Sequence, residues 1–358
     1  MTLIDDELSE VSRLCENVIP NSTLVTCLRS LVVRVEILQS PERRLTVCLR
    51  FPENYPANKL LLEFKSKTLP SIFLEKFEKI CETKLSDAVG KPQIMWALKL
   101  ISEYLSQNPL CIVLDELQQI KSVLSSSDEL KIRQRTCTAE LIVRADDYIY
   151  GAKFKVPSTY PLDRITWEDC ECNLPQSLML FINGTAHEIA RRCVEPPLRR
   201  TNNSESFTPK PSLYRTLSFL ITTMRAIPNE TCPICAERCL PKNPLNIVTS
   251  SNDDAFLVRM FCGHIYHQIC LKRYMSEPPF PKEGKTCPAK KMPNNRLPLE
   301  STVCQSKQTT SEPTLEAVCG MRVTHDKWGL NNVKSAETKW ARHQAKIREL
   351  EEVIDFLQ

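Results

Sequence analysis

Apolar positions along this chain recur with two different periods. Leu8, Val11 and Leu14 lie at helical spacing, the β-branched runs at 31–35 and 45–49 suit strands, and Ile94, Leu98, Ile101 and Leu105 fall on one face of a further helix. Between the strands and that helix lies "FPENYPANKLLLEFKSKTLP" (51–70), where each proline fixes its own φ and pushes the preceding residue toward extended geometry. A rigid extended turn therefore follows a strand. The order helix, strands, turn, helices predicts an α+β unit.

The same order returns. Residues 156–175, "VPSTYPLDRITWEDCECNLP", match 51–70 without a gap, so that Pro52, Tyr55, Pro56, Leu69 and Pro70 recur as Pro157, Tyr160, Pro161, Leu174 and Pro175. Upstream, "LVVRVEI" from Leu31 matches "LIVRADD" from Leu141, and "DELSEVSRLC" from Asp6 matches "DELQQIKSVL" from Asp115. Downstream, "KPQIMWALKLISEYL" from Lys91 answers "KPSLYRTLSFLITTM" from Lys210, the offset growing from 105 to 119 across the polar "RRTNNSESFTPKP" stretch. The growth marks a loop insertion, and a repeat of this span sets the architecture.

Composition narrows the function classes. At 358 residues the chain has room for two or three domains, and 42% hydrophobic with 25% charged residues is the balance of a soluble globular protein rather than a membrane-embedded one. Lysine plus arginine (47) barely exceed aspartate plus glutamate (43), too small a surplus to call for nucleic acid or a membrane surface as partner. No GxGxxG or Walker loop is present. The amino end lacks a basic-then-apolar signal and no segment reaches 18 apolar residues in a row, so a cytoplasmic or nuclear location is expected. In that setting 17 cysteines point to reduced thiols and metal ligands rather than disulfides.

The most specific chemistry is the spacing C-x2-C-x26-C-x-H-x2-H-x2-C-x16-C, formed by Cys232, Cys235, Cys262, His264, His267, Cys270 and Cys287. Zinc takes four tetrahedral nitrogen or sulfur ligands, and gaps of one or two residues let one tight loop deliver two of them. Eight such ligands make two closed sites. A three-ligand site left open for catalysis is the alternative, but the sequence places no general base beside it.

The repeated unit, with "YP" after a strand and helices after "LP", resembles the RWD domain, a relative of the ubiquitin-conjugating enzyme fold that lacks the catalytic cysteine. A working conjugating enzyme needs an activated thiolate beside an amide donor, usually in a His-Pro-Asn context. No "HPN" occurs here, and Cys81, Cys170, Cys172 and Cys193 are expected to be buried structural cysteines, with His187 structural as well. The cysteine and histidine series resembles a RING finger of the subtype with two central histidines. That resemblance implies one zinc on Cys232, Cys235, His267 and Cys270, and a second on Cys262, His264 and Cys287 with one more ligand. The family places a cysteine three residues after Cys287, where this chain has Lys290. Cys304 and Cys319 could complete the site, with His325 as an outside candidate. Cys319 is favoured, because joining "CPA" to "CGMRV" regenerates an uninterrupted C-x2-C and leaves 290–318 as a flexible insertion.

RING fingers dock a ubiquitin-charged conjugating enzyme and hold its thioester for attack without forming a bond themselves. The resemblance implies Ile234 and Pro288 as docking positions, and no catalytic residue. A cation often follows the last cysteine in that family; Gly320 follows Cys319, with Arg322 as a loose substitute. Beyond the series, Trp340, Ile347, Leu350, Ile354 and Leu357 recur at heptad spacing behind Ser335, a plausible cap, and predict an amphipathic helix.

The expected organisation is thus RWD-like domains at 1–110 and 111–227, a RING-type finger at 228–325 and a terminal helix at 326–358. The expected function is a RING-type ubiquitin ligase with two zinc ions, or one if the second site is incomplete. Its partners are a conjugating enzyme, ubiquitin and a substrate recruited by the RWD-like domains. The alternative is a non-catalytic zinc-binding scaffold with a degenerate RING.

Overall fold

A computed structural model describes residues 3–27, 33–196, 207–260, 262–281, 284–290, 319–323, 339–343 and 345–347. The chain is mixed α+β. Helix α1 (Leu3–Val18) leads into strands β1 (Ser22–Cys27), β2 (Val33–Ser40), β3 (Arg43–Arg50) and β4 (Leu61–Lys65), followed by helices α2 (Ser71–Leu85) and α3 (Ile94–Gln107). The strands form an antiparallel meander in the order β1-β2-β3-β4. Period-two alternation explains its two faces: Val33, Val35 and Ile37 are fully buried while Arg34 and Leu38 are exposed. Val35 pairs with Val47 and Val47 with Phe64, so the strands align their apolar residues in one row under the helices. Ile94, Leu98, Ile101 and Leu105 of α3 are all fully buried, as their spacing predicts. Phe64 and Tyr104 pack on Phe77 of α2, with ring centroids 5.0 and 4.4 Å away. Each such buried side chain contributes about 1.5–3 kcal/mol.

The element order then repeats: α4 (Leu114–Val123), β5 (Glu129–Arg133), β6 (Thr138–Ala145), β7 (Tyr148–Lys155), β8 (Thr166–Cys172), α5 (Gln176–Val194) and α6 (Leu213–Ala226), with sheet order β5-β6-β7-β8. Both copies carry the same polar constellation. In the first, the Tyr55 hydroxyl donates to Glu7 Oε1, and Glu7 Oε2 accepts the amides of Gln93 and Ile94, each at 3.1 Å, at the start of α3. In the second, the Tyr160 hydroxyl donates to Glu116 Oε1 at 2.5 Å and accepts the amides of Ser212 and Leu213 at 2.8 and 3.0 Å, while Glu116 Oε2 accepts the Tyr214 amide at 2.8 Å. A helix start leaves amides without intrahelical partners, and here a carboxylate and a phenol from distant segments satisfy them. The Tyr55–Pro56 and Tyr160–Pro161 bonds are both cis.

The chain divides into two compact units, Met1–Ile142 with Gly151–Cys170 and His187–Ser218, and Val143–Tyr150 with Glu171–Ala186 and Phe219–Gln358. Within the second, the Tyr148 hydroxyl donates to Pro241 O at 2.7 Å and the Arg259 guanidinium lies 2.9 Å from the Phe181 ring centroid. That unit also holds β9 (Leu257–Arg259), β10 (Ile265–His267) and α7 (Gln268–Ser276).

Of the expected structural cysteines, Cys81 and Cys193 are buried, but Cys172 is exposed, its sulfur 2.9 Å from Met179 Sδ; the side chain of Cys170 lies outside the described set. The difference follows from position, since Cys172 ends the edge strand β8 of its sheet. His187 stacks on Trp167 at 4.0 Å. In the terminal segment, residues 339–343 and 345–347 are helical, with Trp340 and Ile347 half-buried; Ser335, Leu350, Ile354 and Leu357 lie outside the described residues, as do Cys304 and His325. Among the described residues no helix is long and apolar enough to cross a membrane.

Candidate metal centres

Four short elements deliver the predicted ligands. An isolated bridge between Thr231 and Arg238 closes a tight loop in which the Ala236 amide reaches Cys232 O at 2.8 Å, with Ala236 in the left-handed region at φ 62°. The loop turns Cys232 and Cys235 toward one point. The β9-β10 hairpin carries Cys262 and His264 in its turn, where Gly263 adopts φ 95°, a value glycine reaches without a Cβ clash. His267 ends β10, and α7 begins at once, bringing Cys270 one turn further on. The fourth element is a ladder between two remote segments: the Cys287 amide donates to Met321 O at 2.8 Å, the Cys319 amide to Ala289 O at 2.7 Å and the Val323 amide to Lys285 O at 3.0 Å.

Together these elements gather two clusters. Cys232, Cys235, His267 and Cys270 form one, Cys262, His264, Cys287 and Cys319 the other, and within each the ligand atoms all lie within 4.8 Å of one another. In the first, His267 Nδ1 is 3.4 Å from Cys235 Sγ and 3.9 Å from Cys270 Sγ. In the second, His264 Nδ1 is 3.4 Å from Cys262 Sγ and 3.5 Å from Cys287 Sγ. Both imidazoles turn their other nitrogen to the main chain, His267 Nε2 to Arg238 O at 3.2 Å and His264 Nε2 to Lys290 O at 3.1 Å. A carbonyl on Nε2 fixes the proton there and leaves the Nδ1 lone pair for a metal.

The thiols of the two clusters shift in both directions: the hydrogen bond to Cys287, with burial, raises Cys262, and burial pushes Cys270 up to about 12. Burial opposes ionisation of Cys232, yet the amides of Cys235, Ile234 and His267 outweigh it and lower its pKa. A hydrogen bond from Cys262, helped by His264, the Tyr266 hydroxyl and the Ala289 amide against the opposing effect of burial, draws Cys287 down to about 3. Cys239 lies in the same segment, but burial pushes its thiol well up, and its sulfur faces Ile265 O at 3.5 Å. It packs as a neutral thiol outside both clusters.

Every ligand predicted from the sequence falls in one of the two clusters, Cys319 included. Lys290, at the position where a ligand was expected, has an exposed side chain and contributes its main-chain carbonyl to His264. Ile234 and Pro288 are both half-buried, each beside a ligand of a different cluster. Two supports were missed: the fully buried Tyr266, whose hydroxyl lies 2.9 Å from Cys287 Sγ, and Lys285, 4% exposed, whose ammonium donates to Tyr274 O and Glu277 O at the end of α7. Tyr266 sits between His264 and His267 in sequence, and that placement was the available signal. No known family model matches the chain, and no curated protein matches it either.

Proposed function

We propose that this chain is a RING-type ubiquitin-protein ligase whose two RWD-like repeats recruit substrate. The observation that carries the reading is the interleaving of the ligands: the first and third pairs in sequence form one cluster, the second and fourth the other. An interleaved pair of four-ligand sites braces one small module from two points.

The donor sets fit zinc. Each has three thiols and one imidazole with no carboxylate, the soft set that zinc takes in closed structural sites. Tetrahedral zinc places its sulfur and nitrogen ligands about 3.6 Å apart, and the four sulfur–nitrogen distances here run from 3.4 to 3.9 Å. Zinc would supply folding energy here and no chemistry at the substrate.

The chain's own residues then position rather than react. Ile234 and Pro288 offer apolar contacts to a ubiquitin-charged conjugating enzyme, one from each cluster, so the docking surface depends on both. Holding the thioester in one attack geometry is an entropic contribution and needs no covalent intermediate. The test is discharge of ubiquitin from a panel of charged conjugating enzymes by full-length protein, with Ile234→Ala as control. Loss of discharge in the control, with zinc content unchanged, is the expected result.

One observation favours the second reading, a non-catalytic scaffold. Gly320 stands where the family places a cation after the last ligand, and Arg322 is exposed two residues on. Absence of discharge across the panel, from protein holding both zinc ions, selects the scaffold.

A further inference from the structure

We infer that the cluster of Cys262, His264, Cys287 and Cys319 is an exchangeable zinc centre, with Cys319 as its detachable ligand, so that this half of the module forms in response to available zinc. The inference rests on the zinc reading above and concerns only how firmly each ion is held.

The two clusters are built differently. In the first, each pair of ligands is separated by two residues, Cys232 from Cys235 and His267 from Cys270. In the second, Cys262, His264 and Cys287 are buried and Cys319 is half-exposed; exposure does not set the clusters apart, since Cys235 and His267 of the first are half-exposed too, and the difference lies in how the chain delivers Cys319. The segment bearing Cys319 is joined to residues 285–289 by three main-chain hydrogen bonds, and Met321 in its middle is 51% exposed. Among the described residues of that segment Val323 is the one buried apolar side chain, so the fourth thiolate is held by that contact and the main-chain bonds once its metal bond opens.

Chain connectivity supplies the magnitude. The Cys319 amide donates to the carbonyl of Ala289 at 2.7 Å, where an uninterrupted C-x2-C would continue through a peptide bond. The intervening chain thus leaves and returns at one place and enters the centre as loop length. Cys319 lies 32 positions after Cys287, against 3 for Cys235 after Cys232. Loop closure scales as the three-halves power of length, which makes the fourth ligand about 30-fold harder to capture than in the contiguous arrangement. With Cys319 away, three buried ligands keep one coordination position open to water or a competing ligand, the state from which zinc is lost to a chelator.

The experiment is a titration of the zinc-loaded full-length protein with a chromogenic zinc chelator, counting zinc released per chain. The expected result is two separate steps of one equivalent each. Cys319→Ser abolishes the weaker step and leaves the stronger unchanged. Deletion of residues 291–317, which keeps Lys290 on His264 and leaves Lys290 and Val318 as a two-residue turn between the paired Ala289 and Cys319, moves the weaker step about 16-fold toward tighter binding. Release of both equivalents in one step, survival of both steps in Cys319→Ser, or a weaker step unmoved by the deletion each overturns the inference. A deletion variant that also loses the stronger step has misfolded, and Cys319→Ser on the full chain then decides. Ubiquitin plays no part in this readout: two-step release without discharge activity removes the ligase reading alone, and discharge activity with one-step release removes this one alone.

Discussion

Tyr266→Phe isolates one contact of the second cluster. Tyr266 is fully buried in β10, and its hydroxyl lies 2.9 Å from the sulfur of Cys287. Phenylalanine keeps the ring and its packing and removes one donor. Cys287 retains the contacts from Cys262, His264 and the Ala289 amide, so the cluster should still assemble. A hydrogen bond to a charged acceptor contributes about 1.5–3 kcal/mol, and at about 1.4 kcal/mol per tenfold that is roughly 10- to 100-fold in metal affinity, the range expected for a group supporting a ligand. The sign with pH follows from the thiolate. Losing the donor raises the Cys287 pKa, protons compete better with the ion, and the deficit should widen as pH falls. Chelator competition on the full-length protein at two pH values measures both effects, and the Cys232 cluster serves as internal control. An unchanged affinity at the Cys287 cluster refutes the reasoning, as does an equal loss at both, which would mean that the substitution loosened the whole module.

The two copies of the glutamate–tyrosine constellation should respond unequally to the loss of one hydroxyl. Tyr160→Phe leaves the Ser212 amide, in a residue with no exposure, without its acceptor, whereas after Tyr55→Phe the Gln93 amide keeps Glu7 Oε2 at 3.1 Å. A buried orphan donor costs about 1–3 kcal/mol, so Tyr160→Phe should be the more destabilising by about that amount in urea unfolding followed by tryptophan fluorescence; equal or reversed costs would refute the assignment. Burial lifts the Glu116 carboxyl above its ordinary range, so the folded chain holds a proton that the unfolded chain releases. That contribution is present below the unfolded value near 4.5 and is lost as pH rises through the folded one. The stability of the protein relative to its Glu116→Gln variant should therefore decline as pH climbs from 4.5 toward neutrality, and a parallel pair of curves would contradict it.

What the sequence revealed, and what it hid, divides by the kind of group involved. Side chains at fixed spacing were legible. The face Ile94, Leu98, Ile101 and Leu105 is buried throughout, and the cysteine and histidine series gathers into two clusters with Cys319 among them. Spacing also predicted strands at 31–35 and 45–49, inside which the ladder of β2 and β3 begins or runs: β2 spans Val33–Ser40 and β3 Arg43–Arg50. The longer extents arise because the polar residues Glu36, Arg44 and Arg50 take part in the ladder through their main chain, whatever their polarity.

Groups whose role depends on a distant partner were not legible. On α1 the buried residues are Glu7, Val11 and Cys15, with Leu14 only half-buried. A glutamate reads as solvent face until its partners, the first amides of α3, are known to lie against it. Recurrence was the one clue, since Glu7 and Tyr55 return as Glu116 and Tyr160 when the two copies are aligned, and an acid and a phenol repeated together are better explained by a shared contact than by chance solvation. Lys290 shows the limit most clearly. Judged by its side chain it breaks the second site, because a protonated lysine cannot ligate a metal. Its carbonyl nonetheless orients His264, a task that any residue at that position performs equally well, and the missing sulfur arrives from Cys319 along a ladder of main-chain bonds. A ligand delivered by backbone pairing needs no fixed distance in sequence, so the length between Ala289 and Cys319 is free to vary in a way the other ligand spacings are not. It is also where the stability of the centre is most exposed to change.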